Sequence, residues 1–344
     1  MNKPNIPIII LNWKGLKDTK ECISSLLDQN FKDFNIFLVD NGSGEHEAEQ
    51  LKKLYSQNPK IELILNQENL GFTRGNNRII EKLINKYEYI VLLNNDTAVD
   101  KYWLEKLVNC AQDTKADIVT SKMVNYQNRN AMDNAGHIML NTGEVLPLGT
   151  RQRMVQYQER LENFGACAGA CLYSSQMLKH IGLFDEYFVT GYEDAELGVR
   201  AVLAGYKSIF EPGAIVYHKG SVSINKLRDL NYAVKLQTNI YYTYLKLMPI
   251  SLIFFNSPLI LLKTLIILLI GITTGRKSLY LSQLLALKET IRSRKLILDA
   301  RKNFQPYRIL NPLKIIKLQS FFIPYYYQYF IKFVIFKKKT VFES

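Results

Sequence analysis

The sequence has few of the residues that build disulfide frameworks or zinc fingers. Its 344 residues include four histidines and four cysteines: Cys22, Cys110, Cys167 and Cys171. No two cysteines form a CxxC pair and no histidine stands at zinc-finger spacing, which disfavours a structural zinc site. The plain interpretation is four reduced thiols in a cytosolic compartment.

The sequence also lacks a glycine-rich dinucleotide fingerprint and a signal peptide. The first apolar run, residues 7–11, leads into ILNWKG in place of GxGxxG, so a dinucleotide-dependent dehydrogenase is disfavoured. GITTGRKS at 271–278 has the wrong spacing for a phosphate loop. The apolar core near the N-terminus is too short for a signal peptide, so we expect this domain to stay in the cytoplasm.

The sequence has no charge-free run of about 20 apolar residues, the length that a membrane span needs. Lys263 separates two uncharged stretches, 247–262 and 264–275, and Asn-Ser-Pro at 256–258 interrupts the first of them. A lysine near the centre of a span costs roughly 2.5–3.5 kcal/mol on insertion scales. Two short helices lying in the membrane interface are therefore predicted in preference to a single crossing helix.

The excess of positive charge belongs wholly to the C-terminal part of the chain. Residues 219–344 contain 21 Lys or Arg and 4 Asp or Glu, whereas residues 1–218 contain 23 and 27. Aromatic residues and a final run of lysines in FFIPYYYQYFIKFVIFKKK, at 321–339, are typical of the bilayer headgroup region. We expect peripheral or monotopic attachment to an anionic membrane surface. A nucleic-acid-binding tail would explain the charge but not the apolar runs between the charges.

The first hundred residues alternate between strand and helix patterns. Strand patterns lie at 7–11, 34–39, 61–65 and 89–94, and the segment NQENLGFTRGNN (66–77) is predicted to be a loop before a helix at 77–86. This alternation predicts parallel βαβ units and a Rossmann-like α/β half. Two later helix patterns have end signals: Ser174 is a candidate N-cap of one, and Gly205 a candidate C-cap of the other.

Polar side chains stand where the apolar strand patterns end. They are Asn12 after the first strand, Asp40 and Asn41 after the second, and Asn94, Asn95 and Asp96 after the fourth. Each alone is better explained by turn chemistry. In a parallel sheet, however, all three ends emerge at one edge, where open α/β sheets bind ligands.

These residue types suit a nucleotide bound with a metal ion. Asp40 can accept the N3–H of uracil or thymine, and Arg74 and Asn76 can contact phosphate or ribose. Asp96 can hold Mg²⁺ or Mn²⁺, hard cations that take oxygen ligands and substrate phosphates.

An ordered set of motifs then resembles a known family. The set comprises IIILNWKGLKDTKECISSLLDQ, FLVDNGSGE, NLGFTRGNN, YIVLLNNDT, GLFDEYFVTGYEDAELGVRA and YHKGSVS. Together they resemble glycosyltransferase family 2, particularly its rhamnosyltransferase-like branch, over residues 5–245. The resemblance implies a GT-A fold in 1–245, with a nucleotide-binding half (1–100) and an acceptor-binding half built on a mixed sheet (101–245). Residues 246–344 are predicted to form a helical membrane-associating region.

The resemblance also suggests roles for individual residues. Asn12 and Asp40 resemble the base and ribose contacts, with Asn41 beside them, and Arg74 and Asn76 line the donor pocket. Residues 94–96 occupy the place of the family's DxD metal motif, but Asn94 replaces its first Asp, so weaker metal binding is expected. His218 resembles a histidine near the diphosphate that completes the metal shell. A surface histidine after a strand remains an equal alternative.

The segment GYEDAELGVR resembles the part of the family that carries the catalytic base. Asp194 is the expected base and Glu193 the reserve, suited to orienting the acceptor, while Glu196 and Arg200 are interpreted as an ordinary surface pair. The implied activity is inverting transfer from a UDP- or dTDP-sugar, for example dTDP-rhamnose, to a lipid-linked saccharide for cell-surface polysaccharide. The alternative is a non-catalytic, membrane-bound protein that binds nucleotide sugars.

Overall fold

The computed structural model describes residues 5–188, 191–220 and 229–325. Contacts divide the chain into two compact units, Met1–His137 with Pro147–Gly220, and Ile138–Leu146 with Ser221–Ser344. The second unit begins before the helical region predicted at 246 and includes a hairpin from the middle of the chain. The predicted domain boundary at 245 stays a prediction.

Twelve strands are present in the described residues. They are β1 (Ile6–Asn12), β2 (Phe34–Asn41), β3 (Ile61–Asn66), β4 (Tyr89–Leu93), β5 (Thr97–Val99), β6 (Ile118–Asn125), β7 (Met132–Asn134), β8 (His137–Met139), β9 (Val145–Pro147), β10 (Leu161–Glu162), β11 (Ala170–Ser174) and β12 (Ser208–His218). Ten of them form one sheet in the order β10-β12-β6-β11-β4-β1-β2-β3, with β5 on β12 and β7 on β6. The β8 and β9 strands form a separate hairpin.

Six helices accompany this sheet in the first unit. They are α1 (Leu16–Leu27), α2 (Glu45–Tyr55), α3 (Gly71–Leu83), α4 (Trp103–Thr114), α5 (Ser175–Ile181) and α6 (Glu193–Leu203). The side chains of β4 are all buried, as the near-continuous apolar pattern of a central parallel strand requires. Strands β4, β1, β2 and β3 are parallel neighbours, which confirms the predicted α/β class with a Rossmann-like half.

The second half of the sheet is mixed. Strand β11 runs antiparallel between β4 and β6, and β12 runs parallel to β6 with a register shift between Glu211 and Ile215. The end of β12 then pairs with β5, which sets His218 opposite Thr97. Because β5 follows directly after β4, this pairing places His218 near the end of β4.

The predicted loop at 66–77 is wrong in its second half, because α3 begins at Gly71. Gly71 and Gly75 are poor helix formers, so their presence favoured a loop. The structure gives Gly75 a packing role instead: an added Cβ would lie 3.0 Å from Leu11 Cδ1. The helix thus packs closely on β1, where a Cβ at position 75 would force the Leu11 side chain to shift.

The second unit contains the β8–β9 hairpin and five described helices. These are α7 (Leu230–Leu247), α8 (Ile250–Thr273), α9 (Lys277–Arg292), α10 (Arg294–Phe304) and α11 (Pro312–Leu318). The predicted C-terminal helical region is therefore present. The lysine-ended segment after Tyr325 lies outside the described residues, so the membrane role predicted for it stays a prediction.

The prediction of two short helices around 256–258 is wrong, since α8 continues through Pro258. Proline removes the hydrogen bond that would reach the carbonyl four residues earlier. Here the Ser257 hydroxyl donates to that carbonyl, Phe254 O, at 2.8 Å, which offsets the loss. By length and composition, α8 is the one helix within the described residues that is long enough and apolar enough to cross a membrane.

Lys263, expected to be costly in such a helix, is buried against a carboxylate. Its ammonium contacts Glu144 of the hairpin, and both side chains are almost fully buried. Thr142 also donates to Glu144, at 2.5 Å. The charge of Lys263 is therefore neutralised within the second unit.

Candidate active site

Asn12 lies at the centre of a polar cluster at the carboxyl end of the parallel strands. The β1–β2 register sets Asn12 beside Asp40, and Asn12 Nδ2 donates to Asp40 Oδ1 at 2.9 Å. Thr19 of α1 donates to Asn12 Oδ1 at 2.7 Å. Both Asn12 and Asp40 are buried. The two strand ends that the sequence singled out therefore meet directly.

The end of β4 joins the same cluster through Asn95. Its Nδ2 lies 3.0 Å from Thr19 Oγ1 and 3.4 Å from Asn12 Oδ1. Gly15 makes room for this amide, because a Cβ at that position would lie 2.5 Å from Asn95 Nδ2. Three strand ends therefore converge, as expected from their common edge.

Glu47 is a member of the cluster that sequence reasoning missed. Its Oε1 accepts from Asn12 Nδ2 at 2.8 Å and from the Gly15 backbone N–H at 2.9 Å. Ser43 lies between, accepting from Asn12 Nδ2 at 3.2 Å and from the Lys14 N–H at 2.9 Å. Glu47 belongs to the first turn of α2 rather than to a strand end, so the strand-end pattern did not include it.

Asp96 lies beside His218 and Asp133. His218 Nε2 is 3.4 Å from Asp96 Oδ2, and His218 Nδ1 is hydrogen-bonded to Asp133 Oδ2. Burial opposes the charged imidazolium, but the hydrogen bond to Asp133 and the charge of Asp96 outweigh it and raise the pKa of His218 to about 10. Asp133 was not predicted; the β6–β7 pairing, which brings it here, has no local sequence signal.

The side chains at Asp96 fit a divalent cation that takes some of its ligands from the protein and the others from a diphosphate. Asp96 Oδ1 is buried and has no hydrogen-bond partner among the described residues. Asp133 is hydrogen-bonded to His218 Nδ1 and so orients the ring, as carboxylates behind metal-ligating histidines do. No group of three or more His, Cys, Asp or Glu in the described ranges is arranged to hold a metal by itself. Most of the shell would thus have to come from substrate and water.

Asp194 lies in the first turn of α6 and is linked to the same strand ends. Its Oδ2 accepts from the Ala168 N–H at 3.1 Å and its Oδ1 from the Ala195 N–H at 2.8 Å. One residue after Ala168, Gly169 O accepts from the Asn94 N–H at 2.8 Å. A continuous path of backbone contacts therefore connects Asp194 to the end of β4.

A glycine pair allows α6 to approach the loop that holds Asp194. A Cβ added to Gly198 would lie 2.3 Å from Phe164 O, and one added to Gly165 would lie 2.4 Å from Gly198 Cα. Gly165 also has a φ of 114°, which favours glycine. The backbone of α6 is therefore in direct contact with the backbone of residues 164–165. This contact fixes the position of α6 relative to Ala168.

Glu193, next to Asp194, is a buried carboxyl that retains its proton more strongly than an ordinary glutamate. Burial, reinforced by the charge of Asp194, raises the pKa of Glu193 to about 8. Its Oε2 has no hydrogen-bond partner among the described residues. At neutral pH Glu193 is therefore largely protonated, so it can donate a hydrogen bond but is a poor proton acceptor.

This pKa predicts a pH-dependent effect of Glu193→Gln on stability. Between the ordinary value of 4.5 and about 8, the unfolded chain has lost the proton that the folded chain retains, so wild-type stability falls as pH rises. Glutamine has no such proton. The melting temperature of Glu193→Gln relative to wild type should therefore be higher at about pH 8 than at about pH 5. Glu186→Gln, at an exposed carboxylate, is the control; a difference for Glu193→Gln that does not change with pH would contradict the assignment.

The remaining predicted donor residues make other contacts. Asn41 bonds to Asn66, Asn69 and Leu70, and so fixes the turn before α3. Arg74 is exposed and 3.5 Å from Glu186. Asn76 is buried and donates to Phe72 O at 2.9 Å. Their predicted contacts with the donor stay predictions.

Glu196 and Arg200 are not the surface pair that was expected. Both are buried, and Arg200 Nη2 lies 2.9 Å from Glu196 Oε2. Arg200 also donates to the carbonyls of residues 181–183, at the end of α5 and just after it. The i,i+4 spacing identified the pair, but burial depends on the packing of α5 and α6. The predicted Ser174 N-cap of α5 is confirmed.

Comparison with known proteins shows which family the chain resembles. The model of the family described as Glycosyl transferase family 2 matches residues 8–182. Glycosyltransferase GlyG of Streptococcus pneumoniae serotype 4 is 29% identical over 122 residues, which cover 35% of this chain and 40% of that protein. O-antigen biosynthesis protein RfbC of Myxococcus xanthus is 24% identical over 233 residues, covering 64% of this chain and 18% of its own.

A solved structure shows the same architecture. The chain superposes on GalNAc-T7, crystallised with UDP, GalNAc and Mn²⁺, with a TM-score of 0.54 at 15% identity, over 69% of this chain and 51% of that one. The chain spans less than half the length of the curated relatives described above. The predicted GT-A fold is confirmed by this likeness. With the family model matching half of its length, the chain belongs to Glycosyl transferase family 2.

Proposed function

We propose that this protein is an inverting glycosyltransferase that moves a sugar from a nucleoside diphosphate to a lipid-linked saccharide. The observation that carries the proposal is the convergence of Asn12, Asp40 and Asn95, joined to Asp194 through the backbone of 168–169 and 94. A donor pocket at the strand ends and a carboxylate across from it are what a single displacement requires. A protein that merely binds nucleotide sugars needs no such carboxylate.

Asp40 and Glu47 supply the acceptor atoms for the nucleoside. Asn12 Nδ2 has Asp40, Ser43 and Glu47 as acceptors but only two protons to offer. Nδ2 reaches only one oxygen of each carboxylate, Asp40 Oδ1 and Glu47 Oε1, so the second oxygen of each keeps lone pairs for an N–H or O–H of the ligand. The N3–H of uracil or thymine and the ribose hydroxyls match this need, which favours a UDP- or dTDP-sugar. The bound UDP of GalNAc-T7 supports a donor of this class.

Asp194 acts as the base in the proposed reaction. It takes the proton of the acceptor hydroxyl while that oxygen forms a bond to the anomeric carbon. The bond from the anomeric carbon to the donor phosphate oxygen breaks on the opposite face, and the nucleoside diphosphate leaves. Two backbone N–H groups and the N-terminus of α6 hold Asp194 and favour negative charge there. Protonated Glu193 is suited to orienting the acceptor.

Asp96 would hold Mg²⁺ or Mn²⁺ at the diphosphate together with His218 as a neutral imidazole, since metal binding displaces the proton that the metal-free site retains. Asp133 would orient the His218 ring. Such a cation, when bound, stabilises the charge that develops on the leaving group. Asn94 supplies an amide where the family motif has a carboxylate, so we expect weaker metal binding than in a site with two carboxylates. The Mn²⁺ of GalNAc-T7 supports divalent metal use.

We further propose that the protein works at the cytoplasmic face of the membrane on a polysaccharide precursor. The apolar helix α8 and the excess positive charge of residues 219–344 support attachment to anionic lipid. The likeness to an O-antigen biosynthesis protein supports a cell-envelope polysaccharide.

Thermal stabilisation by a panel of UDP- and dTDP-sugars tests the donor assignment. A ligand that binds only the native state raises the melting temperature, by an amount that corresponds to about 2.7 kcal/mol at a hundredfold excess over Kd. We expect one class of nucleotide sugar to stabilise wild type and Asp40→Ala to lose this effect. Asp117 lies just before β6, at the opposite end of the sheet. Asp117→Ala should therefore retain the stabilisation by the nucleotide sugar. Stabilisation that survives Asp40→Ala would contradict the assignment.

A further inference from the structure

The second unit contains an apolar cavity that the proposed sugar transfer does not use. Its volume is about 510 Å³, within the range of small-molecule sites. Its walls include Ile240 of α7, Ile266 and Ile270 of α8, and Leu279 of α9. An aliphatic cavity of this kind excludes water and accepts hydrocarbon.

Most polar side chains at the cavity are engaged with one another, although Gln237 Nε2 is buried without a hydrogen-bond partner among the described residues. Glu144 is paired with Lys263. Gln283 donates to Gln237 at 3.0 Å and accepts from Tyr241 at 3.2 Å. A sugar or nucleotide placed here would lose its hydrogen bonds to water and gain few in return, so these ligand classes are disfavoured.

Helix α8 is apolar on the side that faces the cavity and on the side that faces away. Leu262, Ile266 and Ile270, spaced by four residues, line the cavity. Leu261, Leu265 and Leu269 are 61%, 53% and 65% exposed. A helix that is apolar all round is typical of a hydrocarbon environment. Helix α8 is also long enough to cross a bilayer. A lipid tail is the cavity occupant that is consistent with the apolar character of both sides of this helix.

We propose that this cavity binds the hydrocarbon tail of the lipid that carries the acceptor saccharide. The proposal rests on the proposed function, and it assigns the tail to the helical unit. Bulk lipid has the exposed leucines of α8 to contact, whereas a cavity lined by α7, α8 and α9 can hold one chain in place. A held tail limits the diffusion of the acceptor and lowers the entropic cost of positioning its sugar.

Photolabelling in vesicles tests this assignment with the full-length chain. The probe is octadecyl β-glucoside with a diazirine at the end of its alkyl chain, in phosphatidylglycerol vesicles without donor. We expect mass spectrometry to find the label on cavity residues such as Ile270 and Leu279. Ile270→Trp fills the cavity and should lower that labelling about tenfold. Leu269→Trp, one position away on the exposed side, should leave it unchanged.

Ser282→Leu is a second cavity-filling change, smaller than the first, in case Ile270→Trp does not fold. Its expected effect is also a loss of cavity label. Label confined to exposed leucines of α8, or no label in the cavity, would overturn the proposal and indicate that another occupant, such as the chain's own residues 326–344, fills it. Equal cavity labelling by photoreactive phosphatidylglycerol would overturn the acceptor assignment in favour of bulk lipid.

The two proposals fail separately. Photolabelling requires neither donor nor turnover, so loss of the cavity label with intact sugar transfer would refute only the tail site. Retained cavity label in a chain that no nucleotide sugar stabilises would instead refute the proposed function.

Discussion

Asp194→Asn is expected to lower the rate of sugar transfer by about a thousandfold while leaving donor binding nearly unchanged. Asparagine keeps the size of the side chain and one acceptor oxygen, but it cannot take a proton from the acceptor hydroxyl. The change lies on α6, whereas the nucleoside contacts lie on β1, β2 and α2. Turnover and donor affinity should therefore separate in this variant, as measured by transfer kinetics and by titration with the donor.

Asp117→Asn is the matched control for Asp194→Asn. Asp117 precedes β6 at the opposite end of the sheet, where it accepts from the Lys207 N–H at 3.1 Å, a bond that asparagine can also accept. Its turnover should equal that of wild type. Unchanged turnover in Asp194→Asn would remove the base from the mechanism, and a joint loss of turnover and donor affinity would indicate a structural role for Asp194.

Removing Glu144 is expected to cause the largest loss of stability in the helical unit. Glu144→Leu leaves the ammonium of Lys263 buried without its carboxylate, and breaking a buried pair in this way costs about 3–5 kcal/mol. The double variant Glu144→Leu/Lys263→Met removes both charges and replaces them with apolar side chains. It should recover most of that loss, because apolar pairs replace buried ion pairs at little cost.

The measurement is the free energy of unfolding in detergent for wild type, both single variants and the double variant. The double-mutant cycle isolates the coupling between the two side chains. Glu289→Leu/Arg292→Met, at an exposed pair on α9, is the control and should change stability little. A Glu144→Leu variant as stable as wild type would show that Lys263 finds water or another partner, and the hairpin would then have no role in neutralising α8.

Local sequence patterns were sufficient for the parallel half of the fold and for the strand ends. Asn12, Asp40 and Asn95 could be placed together because buried parallel strands present their carboxyl ends at one edge. The start of α3 could not be predicted, because Gly71 and Gly75 weaken helix propensity there, whereas Gly75 is packed against Leu11 of β1. Propensity and tertiary packing favour opposite structures there, and packing decides.

Residues brought in by long-range pairing were the ones that the sequence did not reveal. Asp133 reaches His218 only through the β6–β7 pairing, and Glu47 reaches Asn12 from a helix. Lys263 looked unfavourable within an apolar run because its partner Glu144 lies 119 positions earlier in the chain. A single sequence has no local signal for such pairs, so their identification depends on the fold.

The side-by-side comparison of Asp40→Ala and Asp194→Asn tests the central claim most directly. Donor affinity and transfer rate are measured for both variants with the same nucleotide sugar. Our account predicts opposite patterns: Asp40→Ala loses donor affinity, whereas Asp194→Asn keeps it and loses transfer. If both variants bound the donor and transferred sugar like wild type, a shared donor and acceptor site at these strand ends would be contradicted.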